Sequence, residues 1–166
     1  MRISKNLRTD QENIKRLVTV LSGASIEVRS NKRARPKFFI HAHDFIVEYI
    51  DKGFFKKEQE LVKVLEDGGF PPDSGPIGAM MTDQHKSREV SSTLLDFTKQ
   101  WEAGDEGIRM ELGGISSEYA SILRQHLDRL KNLIFPLIEQ TISIEEEDTV
   151  SEAISNIVFE GKLKDG

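Results

Sequence analysis

Apolar residues recur along the chain at three- and four-residue spacing, and no stretch sustains a period-two alternation, so the pattern predicts helices and no strands. A first helix is expected from Asp10 to about Leu21. Thr9-Asp10-Gln11-Glu12 has the spacing of a capping box, Ile14, Leu17, Val18 and Leu21 form one face, and Ser22-Gly23 is a stop signal. The polar, basic stretch from Ala24 to Lys37 reads as a loop or a partly helical connection. Pro36 suits the first turn of a second helix, where its missing amide hydrogen costs nothing. That helix runs from Phe38 to Leu65 with His43, Ile46 or Val47, Ile50, Phe54, Glu58, Leu61 and Leu65 inward, and Gly68-Gly69-Phe70-Pro71-Pro72 ends it.

Pro76 opens a third helix, expected from about Ile77 to Ala103. Gly104 and Gly113-Gly114 punctuate the approach to a fourth, expected from near Ser116 to about Ile142 and bent at Pro136. Its inward stripe is Tyr119, Ile122 or Leu123, His126, Leu130, Ile134 and Leu137. Ser143-Ile144-Glu145-Glu146 repeats the capping-box spacing and opens a short helix to about Val158, after which residues 160–166 read as a frayed tail. Long helices joined by short loops predict an all-α, antiparallel up-and-down four-helix bundle with a short additional C-terminal helix, forming one domain with its core at about residues 9–159.

A chain of 166 residues buries enough surface to fold without a metal or a disulfide. It has no cysteine, which removes thiolate sites and sulfur nucleophiles. A net charge of −5 gives no general attraction for nucleic acid or anionic membrane. No run approaches the ~18 apolar residues of a membrane span. The start, Met-Arg-Ile-Ser-Lys, lacks the apolar core of a secretory signal, so a cytoplasmic protein is expected.

The informative positions are polar residues that fall on apolar stripes: Gln11 on the first helix, Glu58 on the second, Gln84 on the third and His126 on the fourth. A buried carboxylate or imidazole without a partner costs several kcal/mol, so these groups are expected to meet each other, a water or a metal. One reading is a hydrogen-bonded layer with Glu58 and His126 as a pair closed by the two glutamines. The other is a single metal ion held by Glu58 and His126, with Gln11 and Gln84 as weak amide ligands. His85 would enter the site only if the third helix were rotated, which would expose Met81 and Leu95.

Other chemistry-bearing residues have plainer readings. His41 and His43, two apart on a helix, point to different sides and cannot chelate one ion. The basic cluster Arg29, Lys32, Arg33, Arg35 and Lys37 reads as a solvated connection. Asp83, Gln84, His85 and Ser91 contain triad residue types with nothing to bring them to one point, and Met80, Met81 and Trp101 read as packing residues. With no phosphate loop, dinucleotide fingerprint or zinc pattern, an enzyme has no positive support.

Several segments resemble the hemerythrin HHE cation-binding family. Lys57-Glu58, then Gly68-Gly69-Phe70-Pro71 and Gly75-Pro76-Ile77-Gly78-Ala79-Met80-Met81, are similar to the end of that family's second helix and the loop before its third. Arg124-Gln125-His126-Leu127 with Ile134-Phe135-Pro136 resembles its fourth-helix motif. The resemblance covers almost the whole chain and implies the helical bundle again, with a non-haem di-iron centre used for oxygen binding, sensing or iron handling. It also implies which ligand positions are replaced. The first-helix histidine appears as Gln11, and the second-helix His-x-x-x-Glu as Phe54-x-x-x-Glu58. The third-helix histidine falls on Gln84, and the fourth-helix His-x-x-x-Glu appears as His126-x-x-x-Leu130. Only Glu58 and His126 survive, whereas two irons need about five or more protein ligands. The expectation is therefore a non-enzymatic hemerythrin-like module without a cofactor, working through a protein partner or as a homodimer and binding neither nucleic acid nor membrane. The alternative is an iron- or zinc-binding protein for oxygen or iron sensing or storage, with a reduced site at Glu58 and His126.

Overall fold

The computed structural model describes residues 1–157. Helix α1 is Arg2–Ser30. Helix α2 covers residues 36–67, with α-helical ends at Pro36–Phe45 and Phe55–Asp67 and a π-helical middle at Ile46–Phe54. Helix α3 is Gly75–Glu102. A 3-10 turn at Glu106–Ile108 leads into α4, residues 109–141, which is α-helical at Arg109–Arg129 and Phe135–Thr141 with a π-helical turn at Leu130–Ile134. Helix α5 is Ile144–Ser155. Among the described residues there is no strand. The four long helices run up and down as a bundle, α1 packing along α4, α4 along α3 and α3 along α2, while α5 lies across the start of α1 and the end of α2.

Two helices start earlier than their local signals predict. Ile3 and Leu7, both fully buried, continue the stripe of Ile14, Val18 and Leu21 toward the N-terminus, and Val28 continues it beyond Gly23. Packing of this longer face outweighs the Thr9 capping signal, so Thr9 and Glu12 are simply exposed helix positions. Gly23 is tolerated because it sits on the solvent side, where a Cβ would meet nothing. The expected connection from Ala24 to Lys37 shrinks to residues 31–35. Arg109 then caps the end of α1, its guanidinium donating to the carbonyls of Val28 at 2.8 Å and Asn31 at 2.5 Å while stacking over Trp101.

The fourth helix begins at Arg109, not near Ser116, and Gly113 lies inside it. This glycine marks a close approach of backbones, because a Cβ there would stand 2.6 Å from the Ser25 carbonyl oxygen and from Arg29 Nε. The π turn at Leu130–Ile134 precedes Pro136 and shifts the helical phase, so the buried residue after Ile134 is Ile138 and not Leu137. Ser143 caps α5 as its spacing predicts, accepting from the Glu146 amide at 3.1 Å and lying 3.0 Å from the Glu146 carboxylate. The expected helix end at Val158, the last part of the core to 159 and the tail at 160–166 lie outside the described residues.

Replacing Gly113 by alanine pushes a methyl into backbone that cannot yield cheaply, and a loss of about 1–3 kcal/mol is expected in urea unfolding. Gly23→Ala, at an open helix position, should be neutral or stabilising by up to ~1 kcal/mol in the same assay. Equal effects of the two would contradict the close helix contact.

Candidate functional site

The interior polar layer is built by side chains from α2, α3 and α4. Glu58, one turn after the π segment of α2, is fully buried, Gln84 is 2% exposed and His126 is 1% exposed. His126 Nε2 stands 2.7 Å from Glu58 Oε2, and the Gln84 amide donates to Glu58 Oε1 at 2.6 Å. On its other side His126 Nδ1 meets Asp83 Oδ2 at 2.8 Å, and Arg129 Nε donates to the same oxygen at 2.9 Å. The chain of contacts therefore runs from Gln84 through Glu58, His126 and Asp83 to Arg129, from the centre of the bundle to its edge.

Charge state follows from this arrangement. Burial alone would lower the His126 pKa, but the Glu58 carboxylate, then hydrogen bonds donated to Asp83 and Glu58 and the Asp83 charge, outweigh it and raise it to about 9. At neutral pH the ring is an imidazolium whose two N–H groups both donate, one to each carboxylate. For Asp83, burial works upward, but hydrogen bonds from His126 and Arg129 and their charges bring its pKa below the ordinary value.

A second ionic contact ties α1 to α2. Lys57 Nζ lies 2.6 Å from Asp10 Oδ2, the Tyr49 hydroxyl donates to Asp10 Oδ1 at 2.7 Å, and Asn13 donates to the Tyr49 oxygen at 2.8 Å. Burial first, with the Asp10 hydrogen bond and charge adding to it, outweighs the Asn13 hydrogen bond and lifts the Tyr49 pKa to about 12. The inward polar residue of α1 is thus Asp10, 6% exposed, and not Gln11. Gln11 is half-buried in a surface groove with Arg8, Lys15, Leu127 and Asp128.

The remaining candidate positions divide clearly. Phe54 and Leu130, one turn away from Glu58 and His126, are fully buried apolar residues of the core. His85 points to solvent and pairs with Glu89 at 2.6 Å, so it does not enter the layer. His43 is half-buried near the other end of the bundle, where burial lowers its pKa most, followed by an opposing effect of Asp44. Asp10, Lys57, Asp83 and Arg129 were not legible as site residues. Asp10 carried a signal, since Ile3, Leu7, Asp10 and Ile14 share one helical face once the helix is extended to residue 2.

The family model of the hemerythrin HHE cation-binding domain matches residues 2–138. The chain belongs to the hemerythrin family. No curated protein matches it closely enough to be counted a relative. The hemerythrin family binds metal ions, and the donor set can be tested against that trait. In this hemerythrin-like bundle, no group of three or more His, Asp or Glu among the described residues is placed to hold a metal ion. The one interior imidazole has both nitrogens engaged as donors, the interior carboxamide turns its N–H to Glu58, and Phe54 and Leu130 fill neighbouring positions with apolar side chains. These residues do not fit a two-iron centre.

If Glu58 and His126 stabilise the fold only as a pair, Glu58→Ala or His126→Ala alone should cost ~3–5 kcal/mol, because each leaves a buried group unpartnered. Glu58→Met with His126→Leu should lose far less than the sum, and additive losses in the double-mutant cycle would refute the pairing. The linkage sign follows from a folded-state pKa of about 9 against 6.5 for the free side chain. The stabilisation is fully present below pH 6.5 and fades as pH rises through about 9, by roughly 3 kcal/mol in all. Urea unfolding at a series of pH values should show that decline in the wild type and lose most of it in His126→Gln.

Proposed function

We propose that this hemerythrin-family chain is a non-enzymatic bundle that no longer depends on iron and serves as an interaction or regulatory module in the cytoplasm. The observation that carries the reading is that the acids Asp10, Glu58 and Asp83 each already face a cation of the chain. Asp10 is neutralised by Lys57 at 2.6 Å, Glu58 by His126 at 2.7 Å and Asp83 by Arg129 at 2.9 Å. A metal entering this layer would have to displace a proton from His126 and break these contacts, which works against binding. No helix among the described residues is long and apolar enough to cross a membrane. An apolar surface strip between α1 and α2, with Val20 52% and Phe38 37% exposed beside Leu17 and Phe45, supports a protein partner or a second copy as what the module meets.

A second reading keeps one metal, because Glu58 and His126 do converge at the bundle centre in a family that binds cations. The two are separated by metal analysis of protein purified aerobically without chelator, combined with thermal unfolding before and after chelation. Metal well below one equivalent per chain and an unchanged midpoint are expected. One equivalent that vanishes in Glu58→Ala and His126→Ala would establish the second reading. Two iron equivalents with near-ultraviolet and blue absorption would overturn both.

A further inference from the structure

Between α2 and α3 lies a cleft of about 710 Å³, lined also by Asn156 and Ile157 after α5. Asp51 and Arg88 face it from opposite helices. They are near enough that the Arg88 charge acts on the Asp51 carboxyl, yet they form neither a hydrogen bond nor an ion pair with each other. Among the described residues, buried Asp51 Oδ1 has no hydrogen-bond partner. Its sequence neighbour Lys52 does not neutralise it, being engaged by Glu48 at 3.1 Å. The Arg88 guanidinium instead stacks over the Phe55 ring at 5.4 Å, which holds it at the cleft wall. The fully buried hydroxyl of Tyr119, close enough for the Asp51 charge to act on it, also lacks a partner among the described residues.

Asp51, a half-buried carboxylate, and Arg88 are held apart across a cleft that Lys52 and Lys56 also line, and they leave a gap that a molecule carrying both complementary charges fills. Phe55 and Met81 supply an apolar wall between them, and the volume is in the range of small-molecule sites. We propose that this cleft binds a small zwitterion of the α-amino acid class with an apolar side chain, its ammonium on Asp51, its carboxylate on Arg88 and its side chain against Phe55 and Met81. Binding there reaches the core directly. Gln84 lines the cleft and donates to Glu58, and the Phe55 ring meets the His126 ring edge-on at 5.6 Å. The groups that would hold the ligand, Asp51, Arg88, Phe55 and Met81, are not those that would hold a metal in the polar layer.

Burial pushes the Asp51 carboxyl up to about 6 against the opposing effect of Arg88, in keeping with a carboxylate that lacks a cationic partner. The test uses L-leucine as probe, with 4-methylpentanoate lacking its ammonium and isoamylamine lacking its carboxylate, titrated into the full chain and followed by amide and side-chain NMR. Saturable binding of L-leucine is expected, with each half-ligand weaker by roughly tenfold or more, as loss of a charge-assisted hydrogen bond implies. The Gln84 side-chain amide should shift on saturation. Asp51→Asn should erase the advantage of leucine over 4-methylpentanoate, and Arg88→Gln, at an exposed position that leaves the core intact, its advantage over isoamylamine. Absence of saturation up to ~10 mM leucine, or binding that both variants leave unchanged, would overturn the proposal.

Discussion

The contact between Glu58 and His126 is the constraint around which the interior of this bundle is arranged. A carboxylate with no solvent exposure cannot stay ionised in a helical core unless a cation and hydrogen bonds surround it. His126 supplies the cation and Gln84 the remaining hydrogen bond. A buried imidazolium in turn needs a second acceptor, which Asp83 provides, and Asp83 sits at the edge where Arg129 and solvent share its charge. Each step outward passes the requirement to a group better able to meet it. This layer fixes the rotation of α2, α3 and α4 relative to one another, since a turn of any one of them would strand a polar atom in apolar surroundings.

The π-helical segments help to set that rotation. The segment of α2 ends four residues before Glu58, and the turn in α4 begins four residues after His126. A π turn holds more residues per turn than an α-helix, so each segment re-aims the side chains beyond it without breaking the helix. In α4 the same device accommodates Pro136, which cannot supply an amide hydrogen to an α-helical ladder. Near-perfect burial on both sides of the layer, with Phe54 and Leu130 fully enclosed, depends on this phase adjustment.

Membership of a cation-binding family and an interior already balanced in charge are compatible, because a fold does not by itself dictate the chemistry of its interior. What a bundle of this kind requires is neutralised polar groups at the level of the layer, whether by metal ions or by side chains of the opposite sign. His126 and Arg129 meet that requirement in the layer from within the chain, and Lys57 does the same for Asp10 between α1 and α2. The cleft of Asp51 and Arg88 is the contrasting case, where opposite charges remain apart and a partner from outside could complete them. Because Gln84 and Phe55 belong to both places, an occupied cleft would bear on the packing of the central layer.

The periodicity of apolar residues determined the number of long helices, their order and most of the residues that face inward, Gln11 and Leu137 excepted, because burial of a 3.6-residue stripe is a local property of the chain. It also placed Glu58, Gln84 and His126 in the interior, since each interrupts such a stripe. Local stop and start signals failed at Thr9, Gly23 and Gly113, where the gain from packing a longer face exceeds a cap or a glycine penalty of about 1 kcal/mol. Only the tertiary structure decided that Asp83 and Arg129 complete the layer and that Asp10 meets Lys57, because these partners lie on different helices and their meeting depends on helix rotation. The protonation of His126 belongs to the same class. An imidazole's charge is set by the carboxylates around it in space, and no spacing along one helix contains that information.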